Sequence, residues 1–204
     1  CGTCVGRGGL RAAFDLKVKG RLGPGERHQS VRVLNSIVTW NDAGITYEAD
    51  QRHAEVIVQA FGLNETSKSV GCPGLKDCDQ GDDTLLEGKQ ITRFRALAAR
   101  ANYLAQDRPD IQFAAKEVCR AMSKPTSRDL ARLKRLARYL LGRERCVQHF
   151  PIQDLPTKVV AWTDSDWAGC VETRKSTSAG VLQIGAHTIK TWSATQGVMA
   201  LSSG

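Results

Sequence analysis

From Lys89 to Gly142 the apolar residues recur at intervals of three and four, the spacing that places side chains on one face of a helix. Prolines interrupt the pattern at residues 108–110 (RPD) and 124–126 (KPT), and proline is tolerated in the first turn of a helix but not in its interior. The segment therefore predicts three helices, with each proline just inside a helix start. Their expected shared core consists of Leu97, Tyr103, Leu104, Phe113, Val118 and Met122.

The third predicted helix, residues 127–142 (SRDLARLKRLARYLLG), has both of its ends marked in the sequence. Thr126 or Ser127 is a suitable N-cap, because a side-chain oxygen there accepts a hydrogen bond from the first turn. Gly142 is typical of a helix end. The apolar stripe comprises Leu130, Leu133, Ala137, Leu140 and Leu141. The opposite face is expected to be basic and to carry Arg128, Arg132 and Arg135.

The positive charge of the chain is concentrated in this helical segment. The 204 residues carry a net charge of +8, and residues 89–145 hold 15 Lys and Arg against 5 Asp and Glu, a net of +10 that leaves −2 for the remainder. Lys and Arg displace the counterions condensed on nucleic acid, so a basic segment between near-neutral ones favours a polyanion partner. A solvated basic face without any partner is the alternative.

The residues before this segment predict a hairpin followed by a helix. Residues 31–40 and 45–49 are rich in β-branched and aromatic residues, and the NDAG between them is typical of a turn. A helix is expected over residues 52–63, where apolar residues recur at i, i+3, i+4 and i+7. Residues 64–88 have the polar, Gly-rich composition of a loop.

After a second loop-like stretch at residues 150–157, the chain predicts three strands. They are KVVAWTDSD, AGVLQIG and TIKTWSA, and the VMALSSG that follows predicts the start of a helix. The expected fold class is therefore α/β, of the α+β kind. The two loops divide the chain into segments 1–88, 89–150 and 151–204.

Asp164 and Asp166 lie where the first of these strands ends, between two tryptophans. A buried strand that runs into an aspartate can fix its carboxylate at the edge of a sheet, which is a position suited to a Mg²⁺ ligand. Two Mg²⁺ ions about 3.5 to 4 Å apart, as in two-metal nucleases, need several such carboxylates. The alternative is that the two acids only form the turn or cap it.

Seven cysteines are spread thinly along the chain. Cys1 and Cys4 form a C-x-x-C pair, which Cys72 and Cys78 would complete to a four-sulfur zinc site. Paired zinc ligands are usually separated by two to four residues, whereas five separate Cys72 from Cys78. Reduced thiols are the favoured interpretation.

Asp82 and Asp83 form the only adjacent aspartate pair in the sequence. The paired aspartates of polymerase palms lie behind an aromatic residue in a hairpin, whereas here Gln80 takes that position within a polar stretch. They are interpreted as solvated loop acids.

No apolar run approaches the roughly 18 to 20 residues that cross a bilayer, so a soluble, intracellular protein without membrane contact is expected. The chain begins with Cys rather than Met, which predicts a fragment or a mispredicted reading frame.

Residues 93–142 and 162–204 together resemble the polyprotein of copia-type long-terminal-repeat retrotransposons. The resemblance rests on RPDI, RYLLG, TDSDWAG, RKSTS and ALSS, which occur in that order. It extends upstream, because residues 14–25 (FDLKVKGRLGPG) and 44–63 resemble the segment that follows the polymerase active site of that family.

This resemblance implies a role for each segment. Residues 1–88 would be the last part of a reverse transcriptase palm, residues 89–150 the helical thumb or connection that cradles template and primer, and residues 151–204 the beginning of a ribonuclease H-like mixed sheet. A ribonuclease H domain cleaves the RNA strand of an RNA–DNA hybrid. Asp164 then matches its first metal-binding aspartate, Mg²⁺ is the implied cofactor, and Asp166 belongs to the same local motif.

The sequence also departs from the family. The polymerase motif of an aromatic residue, any residue and two aspartates is absent, as are the Glu-Ala-Glu run that follows ALSS in the family and the later aspartates. Asp164 then stands alone, and one carboxylate cannot hold two Mg²⁺ ions.

The sequence therefore predicts a fragment of a retrotransposon polyprotein related to reverse transcriptase and ribonuclease H that is inactive by itself. Its expected partners are an RNA–DNA hybrid and the remainder of the polyprotein. One alternative is a non-catalytic hybrid-binding module that uses residues 89–145. Another is a degenerate gene product that does not fold stably, because an incomplete sheet leaves a strand edge and apolar surface uncovered.

Overall fold

The computed structural model describes residues 14–15, 17–74, 82–170 and 172–199. These residues form two antiparallel sheets and a group of helices between them in the chain. The first sheet contains β1 (Ser30–Val33), β2 (Ser36–Asn41), β3 (Gly44–Glu48) and β4 (Val147–Pro151), in that order. The second contains β5 (Val159–Ser165), β6 (Thr177–Ile184) and β7 (His187–Thr195), also in chain order. The predicted mixture of helices and strands is confirmed.

The predicted hairpin is confirmed as β2 and β3, which pair from Ile37 with Glu48 to Asn41 with Gly44. The Asn41 side chain closes the turn, because its Oδ1 accepts hydrogen bonds from the amides of Ala43 and Gly44 at 2.9 and 3.1 Å. The single strand expected over residues 31–40 is wrong. Its residues form two strands, β1 and β2, on either side of a tight turn.

Leu34 and Asn35 form that tight turn, with φ angles of 49° and 68°. A two-residue hairpin turn with both φ angles positive matches the twist of the strands that it joins. Asparagine tolerates this conformation, whereas leucine rarely adopts it. Because Leu34 is apolar and is not a typical turn residue, the sequence of residues 31–40 resembles one continuous strand.

Strand β4 returns to the first sheet after the helices and pairs with β3, so that Ile45 lies opposite Phe150. The sequence pattern predicted no strand over these residues. Gly44 lies opposite Pro151, and a Cβ atom on Gly44 would stand 2.2 Å from the carbonyl oxygen of Phe150. Only glycine permits this close approach, and its φ of 143° is also one that other residues avoid.

The helices are α1 (Arg52–Ala60), α2 (Lys89–Leu104), α3 (Gln112–Arg120) and α4 (Ser127–Gly142), with a short 3-10 turn (Pro109–Ile111) before α3. The four helices predicted for residues 52–142 are thus confirmed. Pro109 opens the 3-10 turn as predicted. Pro125 does not lie inside a helix, because Thr126 after it is the N-cap of α4.

Helix α4 begins with a capping box, in which two side chains satisfy amides that have no partner within the helix. Thr126 Oγ1 accepts from the amide of Asp129 at 3.4 Å, and Asp129 Oδ2 accepts from the amide of Thr126 at 3.0 Å. This settles the two N-cap candidates in favour of Thr126. Gly142 is the last helical residue, as predicted.

The hydrophobic core lies where α1, α2, α3 and α4 meet. Leu97, Leu104 and Val118 are buried as predicted, and Met122 is partly buried against them. The prediction is wrong for Tyr103 and Phe113, which are each 44% exposed. The buried face of α2 is formed by large and small apolar residues together: Phe94, Leu97, Ala98, Ala101 and Leu104.

A buried ion pair ties the α2–α3 connection to the end of α4. Arg108 is 1% exposed, and its guanidinium bonds both carboxylate oxygens of Asp110, at 2.9 and 2.7 Å. It also donates to the carbonyl oxygens of Arg143 and Glu144, just beyond α4. The hydroxyl of Tyr139 donates to Asp110 Oδ2 at 3.0 Å. The RPD sequence thus breaks one helix and anchors another.

The three strands predicted near the end of the sequence are confirmed as β5, β6 and β7. Trp192 of β7 lies across Gly180 of β6, where a Cβ atom would stand 2.1 Å from the indole ring. Residues 198–199 lie outside any helix, and the rest of the predicted final helix lies outside the described residues.

Helix α3 joins the second sheet to the helices. Gln112 donates to Thr191 Oγ1 at 3.0 Å, and Lys116 Nζ donates to Thr177 Oγ1 at 2.7 Å. Arg120 at the end of α3 contacts the buried thiol of Cys170. Among the helices described here, none is long and apolar enough to cross a membrane.

Candidate metal and nucleic-acid sites

Asp164 is the sixth residue of β5 and lies opposite Ala179 of β6. Strand β5 is an edge strand, and all seven of its residues are exposed. The position therefore agrees with the expected sheet edge but not with a buried strand. Because side chains alternate along a strand, Asp164 shares its face with Trp162 and Val160.

The face that carries Asp164 is the one over which α3 packs. Thr177 and Thr191 accept hydrogen bonds from α3, and pairing places their side chains on the same face as Asp164. Within this face Asp164, Ala179 and Ser193 form one row across the three strands. Strands lie about 4.8 Å apart, so Asp164 and Ser193 are roughly 10 Å from each other and cannot bind one ion together.

Asp166 has a different role, because its carboxylate organises the loop that follows β5. Its Oδ1 accepts hydrogen bonds from the amides of Thr177 at 2.8 Å and Gly169 at 3.3 Å. Within the same loop, the buried hydroxyl of Ser176 accepts from the amide of Ala168 at 3.0 Å. Turn formation, the alternative considered for both acids, thus describes Asp166.

The residues around Asp164 do not fit a Mg²⁺ site. Mg²⁺ requires near-octahedral coordination by oxygen and is usually held by one or two carboxylates plus a phosphate and water. Among the described residues no three His, Cys, Asp or Glu side chains come together in a group that could hold a metal ion. Asp164 is therefore not part of a three-ligand group among the described residues, and no catalytic step through a metal follows from this arrangement.

The other acidic and thiol candidates are placed as follows. Asp82 and Asp83 are exposed, as predicted for loop acids, and Asp83 Oδ1 lies 3.2 Å from the guanidinium of Arg128. Cys72 is exposed and lies near the carbonyl oxygen of Gly74. The rest of the zinc alternative, Cys1, Cys4 and Cys78, lies outside the described residues.

The basic residues predicted on α4 are only partly available for a ligand. Arg132 Nη1 lies 3.1 Å from Asp129, and Arg128 is paired with Asp83. Arg135 is partly buried, and its Nε has no acceptor among the described residues. The apolar stripe is confirmed, because Leu133, Ala137 and Leu140 are buried and Leu130 and Leu141 pack against the core.

A second basic surface, which the sequence analysis missed, lies on α2. Lys89, Arg93 and Arg100 are exposed, and none of them forms an ion pair with a described residue. At 100° per residue the three side chains project within about 40° of one another. We call these three residues the α2 basic face. The exposed ring of Tyr103 lies on the same side of the helix.

The α2 basic face could have been found from the sequence. Helix α2 carries four basic residues and no acidic one, whereas α4 carries Asp129 in its first turn. The fourth basic residue, Arg95, is committed to the structure, because it donates to the carbonyl oxygens of Met122 and Ser123. The helical spacing of Lys89, Arg93 and Arg100 and the absence of acidic residues in α2 indicate this basic face. The larger number of basic residues in α4 drew attention away from it.

Comparison with known proteins gives several matches, of which two in Arabidopsis thaliana are described first. The uncharacterized mitochondrial protein AtMg00810 is 39% identical over 103 residues, which is 50% of this chain and 41% of that protein. The retrovirus-related Pol polyprotein from transposon RE1 is 35% identical over 104 residues, 50% of this chain and 7% of the polyprotein. The chain is related to copia-type retrotransposon Pol polyproteins. The predicted relationship to a transposable element is thereby confirmed.

This Pol-related chain spans less than half the length of these two relatives. It also matches the secreted RxLR effector protein 161 of Plasmopara viticola, at 30% identity over 115 residues, which is 56% of this chain and 80% of the effector. No protein-family model matches the Pol-related chain. No solved structure matches it either.

Proposed function

We propose that this chain is a nucleic-acid-binding part of a reverse transcriptase and ribonuclease H polyprotein that does not cleave nucleic acid by itself. The observation that carries the proposal is the α2 basic face. Three exposed cations that form no ion pair with any described residue, aligned over about 16 Å of helix, match the repeated phosphates of a nucleic-acid backbone. Relationship to retrotransposon Pol polyproteins makes an RNA–DNA hybrid the partner to test first.

The order of the elements supports a finer assignment within the polyprotein. Residues 1–88 are proposed to be the end of a reverse transcriptase palm, residues 89–150 the thumb or connection, and residues 151–204 the beginning of a ribonuclease H-like domain. The basic helices lie in the second of these segments, where template and primer would be held. The antiparallel β5–β6–β7 sheet lies in the third.

The lack of cleavage follows from the surroundings of Asp164. The metal-dependent chemistry of the parent family would need Mg²⁺ to activate a water and to stabilise the leaving oxygen. Asp164 is proposed as one ligand of that ion in a complete site. The described residues form no group of three or more His, Cys, Asp or Glu side chains around it, so binding without hydrolysis is the proposed activity of this chain.

Binding is tested by titrating salt against a fluorescently labelled RNA–DNA hybrid. Three neutralised phosphates predict a log–log slope of about −3. Changing Lys89, Arg93 and Arg100 to Glu should abolish most of that slope. A matched control changes three exposed basic residues outside this face, Lys17, Lys19 and Arg32, to Glu. Equal losses in both triple variants would show that only net charge matters and would remove the proposed site.

The earlier prediction for Arg128, Arg132 and Arg135 is tested in the same assay. Changing these three residues to Glu should weaken binding less than the α2 variant does, because Asp83 and Asp129 already neutralise two of them. A larger loss than in the α2 variant would make α4 the principal contact.

Catalysis is tested by incubating the hybrid with the chain and Mg²⁺, and the hybrid is expected to stay intact. Cleavage that disappears in Asp164→Asn would overturn the non-catalytic proposal.

A specific observation also favours a non-functional product, because apolar side chains on β5 are left in solvent: Val159 is 63% exposed and Trp162 is 64% exposed. A cooperative unfolding transition would count against that alternative.

A further inference from the structure

The aromatic ring of Tyr103 lies at one end of the α2 basic face. At 100° per residue its side chain and the three basic side chains all project within about 80° of one another, and Tyr103 follows Arg100 by about 4.5 Å along the helix axis. Tyr103 is 44% exposed. A strand whose phosphates contact the three cations would therefore continue onto this ring.

Helix α1 holds the ring of Tyr103 in position. The imidazole of His53 packs against it, with the two ring centroids 4.7 Å apart and an angle of 49° between the ring planes. His53 is itself held in place, because its Nε2 lies 3.8 Å from Oδ2 of the buried Asp50, whose Oδ1 accepts a hydrogen bond from the amide of Arg52 at 3.0 Å. The ring is thus supported before any ligand arrives, and little side-chain entropy is lost when a ligand contacts its exposed part.

The basic face receives a second aromatic contact from the end of α1. Phe61 immediately follows that helix, and the guanidinium carbon of Arg93 lies 5.9 Å from the centroid of its ring. The π electrons of an aromatic ring attract a cation at this distance, so the contact orients Arg93. Cations that follow a sugar–phosphate backbone, together with a ring on which a base can stack, are the combination by which proteins bind single strands.

We propose that Tyr103 stacks on an unpaired base of a strand whose phosphates contact the α2 basic face, so that single-stranded nucleic acid is a ligand of this chain. The inference rests on the proposed function, because it requires nucleic acid on that face. Inside a duplex the neighbouring bases cover both faces of each base, so only an unpaired base can stack on a side chain. A paired hybrid then contacts the cations alone, whereas a single strand contacts the cations and the ring.

The stacking contact is tested by fluorescence anisotropy with a labelled single-stranded DNA oligonucleotide that cannot pair with itself. Tyr103→Ala should raise its Kd about tenfold. The log–log salt slope should not change, because no charge is removed. Tyr103→Phe keeps the ring and should bind as wild type does. The matched control is Phe113→Ala, which removes an equally exposed ring from α3, outside the basic face. Equal losses in Tyr103→Ala and Phe113→Ala would refute the proposal.

An abasic strand of the same length separates stacking from phosphate binding, because it keeps every phosphate and carries no base. Wild type should bind it about tenfold more weakly than the ordinary strand, whereas Tyr103→Ala should bind both strands alike. Tyr103→Leu keeps an apolar side chain against His53 but has no aromatic face, and it should behave as Tyr103→Ala does. If Tyr103→Leu keeps the urea midpoint of wild type and still prefers the ordinary strand as wild type does, the stacking proposal is wrong.

A blunt RNA–DNA hybrid distinguishes a failure of this inference from a failure of the proposed function. Tyr103→Ala should change the Kd of the hybrid less than about twofold, because the hybrid offers no unpaired base. An equal effect on hybrid and single strand would reject stacking on an unpaired base. If the variant with Lys89, Arg93 and Arg100 changed to Glu loses the salt slope while Tyr103→Ala binds the single strand as wild type does, the basic face stands and stacking is rejected. A slope retained in that triple variant would reject both.

Discussion

Replacing Arg108 by Met is expected to lower the free energy of unfolding by about 3 kcal/mol. Arg108 is 1% exposed and satisfies the Asp110 carboxylate and two backbone carbonyl oxygens. Removing one partner of a buried ion pair costs about 3–5 kcal/mol, because the remaining charge stays desolvated. The Asp110 side chain is 29% exposed, so water compensates part of the loss and the lower end applies.

Urea denaturation followed by far-ultraviolet circular dichroism measures this change. A loss of about 3 kcal/mol should move the midpoint by on the order of 1 M. The matched control is Arg100→Met, which makes the same substitution at an exposed site and should change stability by less than about 0.5 kcal/mol. A change in Arg108→Met no larger than in this control would refute the anchoring role of the RPD sequence.

The effect should also depend on pH. Burial raises the pKa of Asp110, but the hydrogen bonds and charge of Arg108 outweigh burial and lower the pKa overall. A lowered pKa means that the pair stabilises the fold above the ordinary aspartate pKa of about 3.9 and loses this contribution as the pH falls through the folded-state pKa. The difference between wild type and Arg108→Met should therefore shrink below about pH 4. A difference that grows on acidification would contradict the assignment.

Three further changes test the local structure. Thr126→Ala removes the N-cap of α4 and should cost about 1 kcal/mol in urea denaturation, whereas the neighbouring Ser127→Ala should cost less. Gly180→Val forces the indole of Trp192 from its place on the sheet, which should cost about 1–3 kcal/mol and change the tryptophan fluorescence; unchanged fluorescence would contradict the packing. Asp166→Ala breaks two hydrogen bonds to backbone amides and should cost about 1–2 kcal/mol, more than Asp164→Asn, whose exposed side chain should contribute less than about 0.5 kcal/mol.

The elements whose signals are local could be located from the amino-acid sequence. Helical spacing, the N-cap candidates Thr126 and Ser127 and the prolines located α1 to α4. The β-branched stretches located β2, β3 and the three strands of the second sheet. These patterns arise from contacts between residues a few positions apart, so they can be recognised without knowledge of the fold. The order of short motifs likewise indicated the retrotransposon family, which the comparison with known proteins confirmed.

Which side chains are free to bind a ligand depends on contacts between distant parts of the chain. Arg128 and Arg132 lie on an outer face as expected, yet acids at positions 83 and 129 neutralise them, and one of those acids is distant in sequence. Strand β4 was hidden because its partner β3 lies about a hundred residues earlier. Asp164 and Asp166 look alike in the sequence, but only Asp166 meets the amide of Thr177 across the loop. Contacts between residues that are distant in sequence decide whether a side chain is neutralised, buried or free to bind. The periodicity of residues along the chain does not reveal these contacts.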